Sequence, residues 1–342
     1  MFSSRIIPLL ASKSSRLIPR IVPSSAPVLI GLRQASTMKA LVFNGIDKLA
    51  LEDKPMPAIR KPTDAVVKLD YTTICGTDLH ILKGDAPEVQ EGTILGHEGV
   101  GTIAQAGAGL SNFKEGDQVL ISCISSCGTC EHCRKGMNSH CTTGGWNLGH
   151  TIDGTQAEYV RIPHADNSLY KVPPEVDPKS LVMLSDIFPT GYECGVLNGK
   201  VAPGGTVAII GAGPIGLATL LAAQLYSPSW VLMIDHDQNR LKVAHQFGAQ
   251  HFCEPEQAEN IVKKLTDGKG VDTVIEAVGI PATFEQCQNL VAPGGVIANI
   301  GVHGVKADLH LEKLWAANIG INIIAIHIGL WLTFRSDNNA AR

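Results

Sequence analysis

Thr206-Val207-Ala208-Ile209-Ile210-Gly211-Ala212-Gly213-Pro214-Ile215-Gly216 carries the strongest structural signal in this chain. Four apolar residues run into a Gly-x-Gly-x-x-Gly turn, and an apolar helix-like stretch, Ile215–Leu225, follows. A lone glycine fingerprint is weak, but a strand before it and a helix after it are the context it requires. Gly211 permits a tight turn, Gly213 lets backbone approach a pyrophosphate, and Gly216 lets helix and strand pack closely. The helix N-terminus, with Pro214 and Ile215 in its first turn, presents unpaired N–H groups to phosphate. Asp235, 19 residues after Gly216, closes the next apolar run, near the spacing of an acid that binds the ribose hydroxyls of a dinucleotide. A carboxylate there repels a 2′-phosphate, and His236 rather than Arg follows it, which favours NAD over NADP. Arg240 either flanks the adenine or faces solvent.

Outward from that turn, short apolar strands alternate with helix-like segments. The strands are Val207–Ile210, Trp230–Ile234, His251–Cys253, Val271–Ile275 and Val296–Ile300. Between them lie Gln238–Phe247, Glu256–Leu265 and Pro281–Leu290. Such alternation predicts a doubly wound parallel sheet, an α/β domain over 186–325. Before residue 185 the pattern differs. Ala40–Phe43, Ala65–Tyr71, Gly99–Ala104, Gln118–Ser122 and Ala157–Arg161 are β-type runs punctuated by Gly, Pro and Asp, and they predict a β-rich domain over 38–185. At 342 residues the chain is long enough for two domains, at about 150 residues each.

Within the β-rich part, Cys127-x2-Cys130-x2-Cys133-x7-Cys141 places four thiols in fifteen residues. Four soft ligands in one loop suit a closed tetrahedral zinc site, and the lobe is read as 123–141. A ferredoxin-type iron–sulfur loop would carry three residues before its last cysteine and a proline after it; here there are seven, and Thr142 follows. Cys123 lies outside the spacing and reads as core, and Cys194, Cys253 and Cys287 read as buried apolar residues.

Cys75-Gly76-Thr77-Asp78 and Gly96-His97-Glu98 are not a metal spacing by themselves. Taken with the four-cysteine loop and the nucleotide fingerprint, the chain resembles the medium-chain, zinc-dependent alcohol dehydrogenases over Met38 to about Ile324. That family has a GroES-like catalytic domain ahead of its Rossmann domain. The resemblance implies a catalytic zinc held by Cys75, His97 and Asp186, the last from Ser185-Asp186-Ile187-Phe188-Pro189-Thr190-Gly191, with Cys194 a competing candidate. It implies that Glu98 enters or approaches that shell, and that Cys127, Cys130, Cys133 and Cys141 hold a structural zinc, two ions per chain in all. Thr77 then receives the alcohol proton and His80 passes it to solvent through the cofactor ribose, a step suited to an imidazole. Trp146 and Leu148 fall where the family lines its substrate pocket, or they are plain packing.

The implied activity is reversible hydride transfer between a small primary or secondary alcohol and NAD, giving aldehyde or ketone. Polyols and threonine are alternative substrates, and a zinc- and nucleotide-binding protein without turnover or a zinc-ribbon interaction module are alternatives of another class. The family also implies a homo-oligomer, dimer or tetramer, with the strand read at Ile319–Ile324 near the subunit interface.

Residues 1–37 hold five basic residues, eight serines and no acid, the composition of a mitochondrial presequence. A matrix protein is therefore expected, with a cytoplasmic one as the alternative. Losing the segment would take the net charge from −4 to −9, which argues against nucleic acid as a partner. The most apolar run, Ile319–Phe334, contains Asn322 and His327 and falls short of the roughly 18 uninterrupted apolar residues of a membrane span. The family continues past its sixth nucleotide-domain strand, and residues 326–342 do not match that continuation. The reading is of a C-terminally shortened member with an atypical apolar-then-polar tail.

Overall fold

The structure is a computed structural model that describes residues 37–323; the expectations for the presequence and for the 326–342 tail lie outside these residues. The described residues fall in one compact unit, made of a β-rich lobe and a Rossmann lobe.

The β-rich lobe begins with a hairpin, β1 (Thr37–Phe43) and β2 (Leu49–Pro55), paired antiparallel. The sequence pattern marks only the C-terminal part of β1, Ala40–Phe43. It does not mark β2, whose alternate residues are merely half-buried and whose Glu52, Asp53 and Lys54 obscure the period. Then come β3 (Ala65–Thr72), β4 (Gly99–Ala106), β5 (Gln118–Ile121), β6 (Tyr159–Ile162) and β7 (Leu169–Lys171). They form one antiparallel sheet in the order β6-β3-β4-β5-β7. Its inner face gathers Val67, Ile103, Val119, Ile121, Leu148 and Ile162 into the core of the lobe. One helix, α1 (Gly76–Lys83), leaves the end of β3 and was not expected.

The Rossmann lobe carries β8 (Thr206–Ile210), β9 (Trp230–Ile234), β10 (His251–Cys253), β11 (Val271–Glu276), β12 (Val291–Asn299) and β13 (Gly320–Ile323). The order β10-β9-β8-β11-β12-β13 is parallel throughout and reverses direction beside β8, the crevice where such sheets bind dinucleotides. Helices α2 (Pro214–Gln224), α3 (Gln238–Gln246), α4 (Pro255–Leu265) and α5 (Pro281–Leu290) link the first five strands. The sheet strands are apolar on both faces because each face is covered. Val207 and Ile209 belong to one core, Ala208 and Ile210 to the other.

A further apolar cluster matters more for the site. Cys75, Ile187 and Ala218 pack together with Phe188 and Ile215, joining the β-rich lobe to the N-terminal half of α2. Among the described residues no helix is long and apolar enough to cross a membrane.

Candidate active site

Cys75 is the N-cap of α1, with extended backbone (φ −92°, ψ 159°). Its N–H donates to Asp78 Oδ2 at 2.9 Å, and Gln156 Nε2 donates to the same oxygen at 2.8 Å. The aspartate of Cys-Gly-Thr-Asp thus fixes the turn that aims the Cys75 thiol. His97 enters just before β4. Asp186 comes 89 residues later, on the helical turn that opens with Ile187–Thr190, and Thr190 Oγ1 donates to its Oδ1 at 2.6 Å.

The fold brings these three together. Cys75, His97 and Asp186 each offer one donor atom, and the three donor atoms lie within 4.8 Å of one another. His97 Nε2 is 3.1 Å from Asp186 Oδ2. Burial is the largest influence and acts against charge on both groups, but it is outweighed by their mutual hydrogen bond and attraction together with Cys75 beside His97 and Thr190 beside Asp186: His97 is held well above the usual imidazole range and Asp186 below the usual carboxylate range. One sulfur, one imidazole nitrogen and one carboxylate oxygen converging in a buried place are a donor set that zinc takes with a fourth position open.

Glu98 sits behind this set. It accepts from Ile187 N at 3.4 Å and from the Thr73 hydroxyl. Burial first, and the Asp186 charge second, push it up to about 7. Thr77 Oγ1 lies 3.7 Å from Cys75 Sγ, and Thr77, His80, His97, Trp146 and Asp186 all line one cleft of about 630 Å³. His80 Nδ1 is 2.7 Å from Asp85 Oδ2, a partner that sequence reading did not supply.

Two buried cysteines, Cys123 and Cys194, stand beside the converging donors. Cys123, read as core, is buried in it and also lines the cleft beside Asp186; burial and the nearby carboxylates push its thiol well up. Cys194 also lines the cleft but is not among the three converging donors. Leu148 is fully buried in the β-rich core, so only Trp146 of the pair reaches the cleft.

The four-cysteine loop forms a second cluster. The Sγ atoms of Cys127, Cys130, Cys133 and Cys141 all lie within 4.8 Å of one another. Cys127 and Cys133 sulfurs are 4.0 Å apart, against about 3.8 Å for two thiolates on a tetrahedral zinc with bonds of about 2.3 Å. Backbone N–H groups already point at the sulfurs: Cys130 N at Cys127 Sγ (3.3 Å), Cys133 N at Cys130 Sγ (3.5 Å) and Cys127 N at Cys141 Sγ (3.2 Å). Burial opposes ionisation of Cys127, but hydrogen bonds from the Thr129 backbone and hydroxyl, and then from Cys130 N, bring it down to about 5. The N–H of Cys133 brings Cys130 to about 7, and burial raises Cys133 to about 12. The donors suit thiolates, and their mutual repulsion calls for a cation.

The fingerprint turn has the geometry its sequence requires. Gly211 has φ +102°, and a Cβ there would meet Val278 Cγ2 at 2.7 Å. A Cβ on Gly216 would lie 1.8 Å from the Gly211 carbonyl oxygen, so only glycine lets α2 start so close to β8. Gly213, by contrast, faces open space, with Arg240 Nη1 at 3.9 Å the nearest atom to an added Cβ. That space belongs to a cavity of about 530 Å³ lined by Gly211, Gly213, Asp235, Arg240, Val278 and Thr283, among others. It is a cradle that fits a dinucleotide phosphate. Asp235 Oδ2 accepts from Ala212 N at 2.7 Å and stands 3.9 Å from Arg240 Nη1. Pro214 and Ile215 are the first helical residues, and Ile215 packs on the Cys75 cluster rather than lining this cavity.

Comparison with known proteins agrees with this layout. Residues 61–174 match the alcohol dehydrogenase GroES-like domain and residues 214–337 the zinc-binding dehydrogenase domain. The chain is 38% identical over 290 residues to zinc-type alcohol dehydrogenase B of Aspergillus flavus, covering 82% of this chain and 66% of that protein. It thus spans slightly under two thirds of that relative's length. It is 37% identical over 306 residues to an alcohol dehydrogenase of Cupriavidus necator, covering 83% of this chain and 81% of the relative. Among solved structures it is similar to zinc-dependent alcohol dehydrogenase 2 of Streptococcus pneumoniae, at 53% identity and a TM-score of 0.81, covering 85% of this chain and 83% of that one. The structure of alcohol dehydrogenase TADH from Thermus sp. ATN1 gives 34% identity and a TM-score of 0.80, with 86% and 87% covered. By its fold, its converging donors and these relatives, the chain belongs to the medium-chain, zinc-type alcohol dehydrogenase family.

Proposed function

We propose that this protein oxidises a small primary or secondary alcohol to an aldehyde or ketone with NAD, and catalyses the reverse reduction, using two zinc ions per chain. The observation that carries the proposal is the convergence of Cys75, His97 and Asp186 on the wall of a cleft. When bound, zinc lowers the pKa of an alcohol toward neutrality and NAD accepts its hydride. Everything else is the work of side chains. Cys75, His97 and Asp186 hold the metal, while Cys127, Cys130, Cys133 and Cys141 hold the second ion and brace the lobe. Thr77 takes the proton of the alcohol at its Oγ1. His80, held at Nδ1 by Asp85, carries it to the cleft mouth. Glu98 sets the charge behind the ligands and orients Ile187.

Gly211, Gly213, Asp235 and Arg240 line the cofactor cavity, while Pro214, Ile215 and Gly216 form the turn and first helical residues that hold its backbone in place. The neighbouring solved structures differ in cofactor: a Sinorhizobium meliloti dehydrogenase is bound to NADP and an Escherichia coli one to NADH. Asp235 supports NAD here, because its carboxylate already receives the Ala212 N–H and opposes a 2′-phosphate. Arg240 works in the other direction but stands mostly in solvent.

Among the described residues β13 is the last strand of its sheet, a position that supports a homo-oligomer, and the basic, acid-free first 37 residues support delivery to the mitochondrial matrix. The boundary between the domains is placed near residue 185. Reduction of NAD at 340 nm with ethanol, 2-propanol, sorbitol and threonine tests the reaction. Turnover with the simple alcohols is the expected result, and inertness toward all four removes it.

A further inference from the structure

Trp146 stands on the cleft wall with its indole edge-on to His97, ring centres 6.3 Å apart and planes at 81°. One side of the indole meets the cluster of Phe43, Ile81, Val89 and Leu95, and it also touches Cys123 and Ile124. One face is covered by the imidazole of His150, with centres 4.1 Å apart and planes 1° apart. His150 is returned over Trp146 by a tight turn in which His150 N, Thr151 N and Ile152 N all donate to the Asn147 carbonyl. The turn is pressed against the residue before His97: a Cβ on Gly149 would lie 2.6 Å from Gly96 N, and Gly149 has φ +66°.

Both ring nitrogens of His150 face acceptors. Nδ1 is 3.1 Å from the Trp146 carbonyl oxygen, and Nε2 is 2.8 Å from Glu88 Oε1. Glu88 is held below the usual carboxylate range, first by its own backbone N–H and then by His150, so it is an acceptor only. A neutral imidazole has one N–H and satisfies one of the two oxygens; the imidazolium satisfies both. In that form the ring is a cation laid flat on an indole face, an attraction added to the stacking.

We infer that His150, clamped between Glu88 and the Trp146 carbonyl, is a positioning residue that fixes the Trp146 indole in the cleft wall and thereby sets the size of alcohol admitted to His97 and Asp186. The pocket role rests on the proposed reaction; the stack does not. Removing His150 frees one indole face and lets the wall swing.

The test uses His150→Leu, His150→Phe and Glu88→Gln in the full chain, each also in a Trp146→Phe background. An imidazolium on an indole quenches its emission. The Trp146-dependent fluorescence of His150→Leu is expected to rise about twofold, and the rise is expected to vanish in the Trp146→Phe background. The ratio of kcat/KM for cyclohexanol over ethanol is expected to rise about tenfold in His150→Leu, mainly through KM. His150→Phe keeps a flat ring on the indole and is expected to stay within about threefold of the parent; Glu88→Gln is expected to lie between. Unchanged emission, or a rise that persists without Trp146, overturns the stack. An unchanged ratio overturns the pocket role. A parent chain inactive toward every alcohol removes the proposed reaction and the pocket role together, and the emission rise, read without substrate, separates that failure from a failure of the stack.

Discussion

Two glycines of the fingerprint are expected to respond in opposite ways to the same added methyl group. In Gly216→Ala the new Cβ would sit 1.8 Å from the Gly211 carbonyl oxygen, about 1.4 Å inside the roughly 3.2 Å that carbon and oxygen tolerate. The opposing atom is backbone in a turn at φ +102°, so no side chain can step aside and α2 must lift from β8. Such overpacking costs about 1–3 kcal/mol, and the depth of this clash places it at the upper end. The better helix propensity of alanine returns at most about 1 kcal/mol. The net loss of about 2 kcal/mol corresponds to a melting temperature lower by roughly 4–8 °C.

In Gly213→Ala the nearest atom is 3.9 Å away and the backbone is at φ −72°, which alanine adopts freely. The melting temperature is expected to stay within about 2 °C of the parent. The methyl group, however, stands where a pyrophosphate must approach. A similar 1–3 kcal/mol then appears in binding, as an NAD affinity weaker by about 5- to 150-fold. Differential scanning fluorimetry and a fluorescence titration with NADH separate the two effects. A Gly213→Ala chain that binds NADH like the parent would refute the cradle reading. A Gly216→Ala chain that melts like the parent would refute the packing argument.

Cys130→Ser should remove one zinc per chain, seen by elemental analysis, and lower the melting temperature, because the remaining three sulfurs lose a closed shell. Asp235→Ala should weaken NAD and narrow its advantage over NADP, read from the ratio of kcat/KM for the two cofactors, since the carboxylate that opposes the 2′-phosphate is gone. His310 is raised above its ordinary value, chiefly by its hydrogen bond to Glu285. A raised histidine stabilises the fold at low pH and loses that contribution as pH rises through its folded-state pKa. The difference in melting temperature between parent and His310→Asn should therefore be largest near pH 5.5 and shrink toward pH 8.5.

The parts of this molecule that sequence reading reached were those coded locally. The strand, glycine turn and helix of 206–224 are contiguous, and each glycine has its own steric reason. The four-cysteine loop is contiguous as well, so its spacing alone marked it. Hairpin strand β2 and helix α1 were missed because their residues are half-exposed and short in period, and packing rather than propensity holds them. Asp186 was reached only through the family's pattern, since nothing local ties it to His97 across 89 residues. Cys123 is core, as its isolation from the cysteine spacing implies, and that it also reaches the cleft is visible only in three dimensions. Of the two readings open for Leu148, pocket lining or packing, the structure shows packing. The Glu88–His150–Trp146 arrangement was not legible at all, because Glu88 and His150 are 62 residues apart.

Two separate clusters of this chain are built to close around a metal: Cys75, His97 and Asp186 in the cleft, and Cys127, Cys130, Cys133 and Cys141 in the loop. Zinc per chain, measured by inductively coupled plasma mass spectrometry on the purified full chain, tests both at once. Two zinc ions per chain in the parent, falling to one in Cys75→Ala, is the predicted result. One or none in the parent, or two retained in Cys75→Ala, would contradict it.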